Sequence, residues 1–157
     1  MRISAKVDYA VRALTELAAA GDGGGGGGPV KGDRIAANQG MPVNFVENIL
    51  GELRRAGLVL SQRGADGGYR LAVAPETITV ADVIRVVEGP LADVRGEPPE
   101  DLAYPGPARA LRYVWVATRA NLRAVLEAVT IADIAAGTIP AAVVDLTDQP
   151  GAWARRC

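Results

Sequence analysis

Histidine is absent from this chain of 157 residues, and cysteine occurs once, as Cys157. A single cysteine excludes a disulfide framework within the chain. Without histidine, the side chain best suited to proton transfer near neutral pH is missing. The acidic pair Glu100 and Asp101 lies in a polar stretch with nothing to desolvate it, so we expect solvated charges there. The sequence therefore predicts no enzyme active site and no metal site.

Long apolar runs are missing as well. No stretch approaches the length of a membrane-spanning helix, and residues 1–20 mix charged with apolar residues, unlike a signal peptide. We therefore expect a cytoplasmic protein that makes no membrane contact. The formal net charge is only −1, but residues 1–72 carry nine Lys/Arg against seven Asp/Glu, and residues 73–157 carry eight against eleven. This slight asymmetry is compatible with nucleic-acid binding by the first half, because phosphate contacts depend on local charge.

What the sequence does contain is a pattern of two short helices, a tight turn and a glycine-rich hairpin over residues 29–71. The first helix should end near Gln39, because Gly40 can adopt the left-handed conformation that closes a helix. Pro42 suits the first turn of the next helix. The glycine-rich segment 58–71 follows at once and predicts a β-hairpin. This order of elements predicts a mostly α fold with a small β-hairpin wing, a winged helix-turn-helix.

The second helix of this pair has two distinct faces. Its apolar side chains recur at i, i+3, i+4 and i+7, which predicts burial on a core. These apolar residues are Val46, Ile49, Leu50 and Leu53. The opposite, free face holds Asn44, Glu47, Asn48, Gly51 and Arg55. Asparagine and arginine can form paired hydrogen bonds to base edges, and a helix fits the major groove of DNA. The free face is therefore a candidate for DNA contact.

The hairpin predicts a second contact with DNA. Its glycines, Gly64, Gly67 and Gly68, allow unusual dihedrals and close approach to another backbone. Arg63 stands at the tip of this thin loop. An arginine on such a projection suits the narrow, electronegative minor groove.

The segments around this pattern carry signals of their own. Ser4 is a suitable N-cap for the first helix, and Thr79 with Asp82 forms a capping-box pattern that starts a helix over residues 80–87. The glycine run 21–28 is predicted to be a flexible linker. No strand precedes this run and no Gly-Lys-Ser/Thr motif follows it, so a phosphate-binding loop is not expected.

Six motifs give the chain a specific resemblance to a known family. They are Met1-Arg2-Ile3-Ser4-Ala5-Lys6, Ile35-Ala36, Gln39-Gly40, Leu53-Arg54-Arg55-Ala56-Gly57-Leu58-Val59, Arg63-Gly64-x-x-Gly67-Gly68-Tyr69-Arg70-Leu71 and Thr79-Val80-Ala81-Asp82-Val83-Ile84. Over residues 1–135 the chain resembles the IscR, NsrR and CymR type of bacterial winged-helix transcription regulators. The resemblance implies a homodimer that binds near-palindromic, double-stranded operator DNA and usually represses transcription.

The free face, the wing and this resemblance together select the candidate DNA-binding residues. The resemblance places Glu47 at a base-contacting position and Arg63 at the position of the wing arginine. Residues expected to face the major groove are Asn44, Phe45, Glu47 and Asn48; those expected to reach phosphates are Lys6, Arg54, Arg55 and Arg70; the wing adds Arg63, Gly64, Gly67 and Gly68. Phe45 stands where many relatives have tyrosine, and Pro42 where they often have serine, so affinity or site preference is expected to differ.

A long amphipathic helix is predicted within residues 108–136. Its apolar side chains repeat at intervals of four and three over about five turns. A single small domain has difficulty covering so long an apolar face, so we expect burial against a second copy of the chain, with packing onto its own domain as the alternative. The expected interface residues are Leu111, Val114, Trp115, Thr118, Leu122, Val125, Leu126 and Val129.

One feature of many relatives is missing. They hold an iron-sulfur cluster with three cysteines between the fourth and fifth helices, whereas segment 91–112 of this chain contains no cysteine. Cluster ligation needs thiolates, with imidazole as the usual substitute. The chain therefore resembles the clusterless branch, and we expect no cofactor. Members of that branch are controlled by a partner protein, by a small molecule or by thiol chemistry, and these alternatives stay open.

These observations predict four segments: a winged-helix DNA-binding domain over 1–90, a loop over 91–107, a dimerisation helix with a short closing helix over 108–136, and a loosely held tail over 137–157. The predicted function is that of a dimeric transcriptional regulator, a repressor without a cluster. One alternative is a protein-interaction module on a winged-helix scaffold with weak or no DNA binding. Another is a metabolite-sensing regulator with a pocket near the dimerisation helix that uses Trp115.

Overall fold

A computed structural model describes residues 3–22 and 27–155. Its helices and strands, in chain order, are α1 (Ala5–Asp22), α2 (Gly32–Gln39), α3 (Val43–Arg55), β1 (Val59–Gln62), β2 (Gly68–Leu71), α4 (Val80–Val87), α5 (Leu111–Leu126), α6 (Ile131–Ala136) and α7 (Ala141–Thr147). Short 3-10 turns lie at Pro75–Thr77, Pro99–Asp101 and Gly106–Ala110. The fold is mostly α with one antiparallel hairpin, which confirms the predicted class.

The middle of the predicted glycine linker and Cys157 lie outside the described residues. No helix in the described part of the chain is long and apolar enough to cross a membrane.

Helix α1 runs through the centre of the hydrophobic core. It begins as predicted, because the Ser4 hydroxyl accepts a hydrogen bond from the Val7 N–H (3.2 Å). Its inner face is completely buried at Ala10 and Leu14 and contacts α2, α3, α4, α6 and β2. The small alanine side chains let these elements approach closely in a chain that has few aromatic residues. Helix α1 therefore sets the positions of α2, α3 and the hairpin relative to one another.

The turn between α2 and α3 forms as its residues predict. Gly40 adopts the left-handed conformation (φ 62°, ψ 39°), and the Met41 N–H donates to the Ala36 carbonyl (2.8 Å). The guanidinium of Arg12, on α1, donates to both the backbone carbonyl and the side-chain oxygen of Gln39. A cation at a helix C-terminus also complements the helix dipole. This contact therefore fixes the C-terminal end of α2 against α1.

Helices α4 and α6 begin side by side, each with a capping box. The Thr79 hydroxyl accepts from the Asp82 N–H (3.1 Å), and the Asp82 carboxylate accepts from the Thr79 N–H (3.0 Å). Thr130 and Asp133 repeat this arrangement in α6, and a backbone bridge joins Thr79 to Thr130. Ile131 is completely buried in the core that surrounds α1. The short closing helix therefore packs in the same core as the winged helix, although the sequence prediction assigned the two to different segments.

The capping box of α4 leads to a testable prediction. We expect Thr79→Ala to lower the free energy of unfolding by about 1 kcal/mol, the usual loss for a removed N-cap. Denaturant unfolding measures this loss. Thr77→Ala is the matched control, because the Thr77 hydroxyl donates only within its own turn, to the Ala74 carbonyl (2.7 Å). An equal loss in both variants would contradict a special role for the cap.

The loss caused by Thr79→Ala should also depend on pH. Partial desolvation acts to raise the pKa of Asp82, but hydrogen bonds from Thr79 and the nearby Arg85 outweigh it, so this pKa lies below its ordinary value. Such a carboxyl stabilises the fold above its unfolded pKa, and the contribution is lost as the pH falls through the folded pKa. Without the Thr79 hydroxyl the pKa shift is smaller. The difference between wild type and Thr79→Ala should therefore shrink below about pH 4.

The later part of the chain differs from the sequence prediction in two places. Helix α5 ends at Leu126, and Val129 lies beyond the helix at only 7% exposure. The Val129 carbonyl accepts a hydrogen bond from the Val80 N–H (3.0 Å). Val129 thus belongs to the core of its own subunit, which explains why the apolar spacing continues past the end of the helix. The tail contains helix α7, which the sequence did not predict, and none of its residues is buried. The loose attachment of the tail stays a prediction.

The loop before α5 is tied to that helix by an ion pair. Glu100, which the sequence predicted to be a solvated charge, pairs with Arg119 of α5. Its own backbone N–H first, and Arg119 second, hold the pKa of Glu100 below its ordinary value. The Glu100 side chain is still 53% exposed, so the predicted solvated charge is confirmed. The sequence did not indicate the ion pair, because the partner lies nineteen positions further along, on a different element.

Candidate nucleic-acid interface

Helix α3, called the recognition helix from here on, presents the polar face that the sequence predicts. Its four predicted apolar residues, and only these four within the helix, are buried. Burial of one side turns the other to solvent. The exposed residues on that side are Asn44, Glu47, Asn48 and Arg55, and Gly51 is half-buried among them. The helix can therefore enter a groove without disturbing the core.

Phe45, at the N-terminal end of the recognition helix, is supported by α1. Its ring packs edge-on against Tyr9, with the ring centroids 5.6 Å apart. The Arg12 guanidinium lies over the Tyr9 ring, 5.5 Å from its centroid. Phe45 still exposes 44% of its surface, so part of the ring is available to a ligand while the packing limits its motion.

Glu47 is held by two other elements. The hydroxyl of Tyr69, on β2, donates to Oε2 of Glu47 (2.7 Å). Oε1 lies against the start of α2, where a Cβ added to Gly32 would be only 2.0 Å away. Partial burial first, and then the hydrogen bond to Glu47, raise the pKa of the Tyr69 phenol, so it stays protonated and able to donate at neutral pH. Glu47 thus joins the recognition helix, α2 and the hairpin.

The wing is the antiparallel pair of β1 and β2, in register from Val59 opposite Leu71 to Gln62 opposite Gly68. Arg63 follows β1 directly and is exposed. Among residues 3–22 and 27–155, no carboxylate forms an ion pair with it. The predicted cation at the wing tip is therefore free to meet a phosphate or a groove.

The wing glycines are required by the conformation of the hairpin. Gly64 has φ 106°, which L side chains rarely adopt. A Cβ on Gly67 would lie 2.3 Å from the Gln62 carbonyl oxygen, and one on Gly68 would lie 2.6 Å from the Val30 carbonyl. For these last two glycines, the predicted close approach is made to the backbone of this chain itself. A DNA contact by Gly67 or Gly68 stays a prediction.

Three of the predicted phosphate-binding residues are available. Arg54, Arg55 and Arg70 are all exposed, and within the described residues none of them is paired with a carboxylate. Arg54 donates to the Ser61 hydroxyl of β1 (3.1 Å), which orients it toward the wing. These arginines extend the polar face of the recognition helix with positive charge.

Lys6, the fourth predicted phosphate ligand, is already engaged. Its Nζ atom pairs with Glu52 of the recognition helix (2.7 Å) and donates to the Val87 carbonyl (3.1 Å). A phosphate contact by Lys6 would require this ion pair to open. The sequence could not reveal these contacts, because Lys6, Glu52 and Val87 lie on three different helices.

Helix α5 is only partly covered by its own subunit. It contacts α4 and the turns Pro99–Asp101 and Gly106–Ala110, and none of its residues is buried. The predicted interface residues within α5 divide into half-buried Leu111, Trp115, Leu122, Val125 and Leu126, and exposed Val114 and Thr118. Val114 is 52% exposed. One flank of α5 therefore packs inward, and a neighbouring flank remains uncovered.

Sequence reasoning did not select Tyr69 or Gly32 as site residues. For Tyr69 a signal was available: side chains alternate between the two faces of a strand, so a tyrosine next to the exposed Arg70 points to the opposite side, toward the protein. Gly32 gave no signal, because its contact with Glu47 arises only when α2 and the recognition helix pack together.

A helix-turn-helix with an exposed polar recognition helix, flanked by a hairpin with an arginine after its first strand, defines a winged-helix, DNA-binding transcriptional regulator. Comparison with known proteins narrows this class. The chain belongs to the Rrf2 family, described as "Iron-dependent Transcriptional regulator", whose profile matches residues 3–137.

Individual relatives agree with this assignment. The chain is 49% identical over 149 residues to a Mycobacterium tuberculosis protein named as an HTH-type transcriptional regulator, Rv1287, with 95% of this chain and 90% of that protein covered. It is 38% identical to the regulator CymR of Bacillus subtilis, with 88% and 92% covered. Among solved structures, B. subtilis CymR, titled the global cysteine regulator, has a TM-score of 0.73 at 35% identity and covers 88% of this chain and 98% of its own. IscR of T. potens has a TM-score of 0.69 at 35% identity, with 87% and 88% covered.

The iron named in the family description can be tested against the residues present. The chain has no histidine, and its one cysteine is Cys157. In the part of the chain that the structure describes, no three His, Cys, Asp or Glu side chains are grouped so that they could hold a metal ion. In the loop before α5, Glu100 is engaged by Arg119. The residues that the structure describes therefore do not fit an iron centre held by cysteine or histidine.

Proposed function

We propose that the protein acts in the cytoplasm as a homodimer on near-palindromic operator DNA, as a repressor without a cluster and without catalytic activity. The observation that carries the DNA-binding part is the combination of an exposed recognition helix with a wing whose arginine has no carboxylate partner among the described residues. A helix of this kind can read base edges in the major groove, while Arg63 reaches an adjacent minor groove. Arg54, Arg55 and Arg70 are proposed to fix the register through phosphates.

The homodimer is supported by the uncovered flank of α5. Helix α5 has sixteen residues, none of which is buried in the single subunit. Exposed apolar side chains grouped on one element mark interaction sites. A second copy of the same helix, related by a two-fold axis, would cover this flank and match a near-palindromic operator. The proposed contact surface is formed by Leu111, Val114, Trp115, Thr118, Leu122 and Val125, with Leu126 at its edge; Val129 is already covered in its own subunit.

The proposal is tested by fluorescence anisotropy of the full chain with DNA from upstream of its own gene and with an unrelated fragment, at several salt concentrations. We expect a preference of about 10³-fold or more, as for specific regulators. We also expect a steep fall in affinity with salt, because phosphate contacts release counterions. Weak and equal binding to both fragments, without salt dependence, would instead favour the protein-interaction module.

The role of Glu47 gives a separate prediction. We expect Glu47→Ala to relax the base preference at one operator position while leaving the salt dependence of binding almost unchanged, because an anion releases no counterions. Competition binding with operators substituted one position at a time measures the first effect, and a salt titration measures the second. A uniform loss of affinity for all sequences would argue against base reading by Glu47.

A second candidate function, sensing of a small anion, is favoured by a surface cleft at the start of α5. The cleft has a volume of about 320 Å³ and is lined by Tyr104, Arg109, Arg112 and Tyr113 together with Leu102 and Ala103. Neither of the two arginines is ion-paired within the described residues. The indole N–H of Trp115 donates to the Tyr104 hydroxyl (3.1 Å). Two free guanidinium groups beside aromatic rings suit a carboxylate, sulfate or phosphate ester.

Trp115 can report on this cleft. The other tryptophan, Trp153, is 86% exposed, so a Trp153→Phe protein leaves Trp115 as the single tryptophan. We expect sulfate, phosphate or small dicarboxylates to change its fluorescence with saturation, and Arg109→Ala to weaken the response about tenfold, as for loss of a charged hydrogen bond. A response that Arg109→Ala leaves unchanged would exclude the cleft as the binding site.

A further inference from the structure

One hydrogen bond connects the wing to the recognition helix at the residue proposed to read bases. The Tyr69 hydroxyl donates to Oε2 of Glu47 (2.7 Å), and Oε1 of the same carboxylate lies over Gly32. We infer that Tyr69 and Gly32 are positioning residues that hold the Glu47 carboxylate in one orientation, so that wing and recognition helix select a base as a unit. This inference rests on the proposed reading of DNA by Glu47.

The Glu47 side chain needs these contacts to hold it in one orientation because it is long and flexible. Glutamate has three side-chain torsions and loses considerable conformational entropy when it is ordered. A contact that orders it before DNA arrives removes that loss from the binding step. Each carboxylate oxygen can accept more than one hydrogen bond, so the carboxylate that Tyr69 holds can still accept an N–H from an exocyclic amine. The cytosine amine is the major-groove donor that glutamate usually accepts from. The hydrogen bond therefore fixes the orientation in which the carboxylate is offered to a base.

Tyr69 is itself held rigidly. Its backbone N–H and carbonyl both bond to Val30 (2.7 and 2.8 Å), immediately before α2 begins. Gly68 permits this contact, because a Cβ there would collide with the Val30 carbonyl. The phenol is therefore anchored to the wing and to the start of α2 at once, and it can transmit the position of the wing to Glu47.

Gly32 leaves room for the Glu47 carboxylate because it has no side chain. The three atoms nearest to an added Cβ all belong to the Glu47 carboxylate, at 2.0, 2.7 and 3.4 Å. Gly32 is also the first residue of α2, and alanine is a better helix former than glycine. Gly32→Ala should therefore displace the carboxylate without unfolding the helix. It disturbs Glu47 chiefly at Oε1, whereas Tyr69 bonds to Oε2, and so gives an independent second variant.

The experiment begins with the full-length protein and a pool of randomised double-stranded DNA, from which the preferred sequence is selected. Competition binding then measures preference at each operator position for wild type, Glu47→Ala, Tyr69→Phe, Gly32→Ala and the double variant Tyr69→Phe/Glu47→Ala. Thr147→Val is the control for loss of a hydroxyl, because the Thr147 hydroxyl donates only within α7, to the Val144 carbonyl (2.7 Å). Thermal unfolding of each protein separates changes in reading from changes in folding.

We expect Tyr69→Phe and Gly32→Ala each to reduce discrimination about 3- to 10-fold, the usual effect of one hydrogen bond, at the same single position that Glu47→Ala relaxes. Thr147→Val should have no effect, and Tyr69→Phe should add nothing once Glu47 is alanine, because its action passes through that carboxylate.

Other outcomes separate this inference from the proposed function. If Glu47→Ala relaxes one position while Tyr69→Phe and Gly32→Ala do not, the positioning role is refuted and base reading by Glu47 stands. A uniform loss of affinity in Tyr69→Phe would mean that the hydroxyl only steadies the wing, which also overturns the inference. If Glu47→Ala changes no position, or if wild type selects no sequence, the proposed reading role fails and the inference fails with it.

Discussion

Val114→Asp is expected to convert the protein into a monomer and to lower its operator affinity about 100-fold or more. Val114 exposes 52% of its surface in the single subunit, so an aspartate there remains hydrated and should leave the subunit folded. In a two-fold dimer each subunit would bury one such carboxylate in the apolar interface, where unpaired charges are costly. Separating two linked half-site binders removes the gain from multivalency, about 10²- to 10⁴-fold.

Analytical ultracentrifugation measures the loss of the dimer, and anisotropy measures the loss of operator affinity. Val116→Asp is the matched control: it makes the same substitution at another exposed valine of α5 (36%), about 160° around the helix axis. This control variant shows how much operator affinity is lost through repulsion between the added charge and DNA. If Val114→Asp remains dimeric and binds the operator like the control, the proposed dimer surface on α5 is wrong.

Arg63→Ala is expected to weaken operator binding by about 1 to 3 kcal/mol, or roughly 5- to 150-fold, a typical loss for one good specific contact. Arg63 is exposed next to β1 and follows the hairpin whose register is fixed by four residue pairs. Its charge is therefore presented on a rigid projection. Because a neutralised phosphate or groove contact releases counterions, the salt dependence of binding should also become shallower.

Two further variants make the Arg63 measurement specific. Arg123→Ala removes the same charge from exposed α5 and should change affinity little. Arg63→Lys keeps the charge but loses the planar guanidinium, so it should recover the salt dependence without recovering the full affinity. Unchanged affinity of Arg63→Ala for the selected operator would refute insertion of the wing into DNA.

The two predictions are physically linked. A dimer places two recognition helices and two wings on one face of the operator, so the α5 surface determines the spacing between half-sites. The wing and recognition helix determine the bases read within each half-site. Disruption of α5 should therefore reduce affinity for every spacing, whereas changes at Arg63 or Glu47 should alter affinity within one half-site.

Local signals in the sequence were sufficient for most of the fold. Gly40 ends α2, Ser4 caps α1, and the Thr79 capping box starts α4 as predicted, because each depends on residues within a few positions of one another. The buried face of the recognition helix followed from its 3.6-residue periodicity. The tail was harder to predict: α7 has no buried residue, so it leaves no strong amphipathic signal.

The sequence by itself determined the winged-helix class, the family and the candidate faces, because periodicity, caps and turn glycines act over short distances. Only the tertiary structure decided what each polar side chain contacts. It engaged Lys6 with Glu52, covered Val129 within its own subunit and joined Glu47 to Tyr69. These contacts connect residues that are far apart in sequence, and they exist because helix packing around α1 brings particular faces together. Local sequence patterns do not specify which distant residues will be in contact.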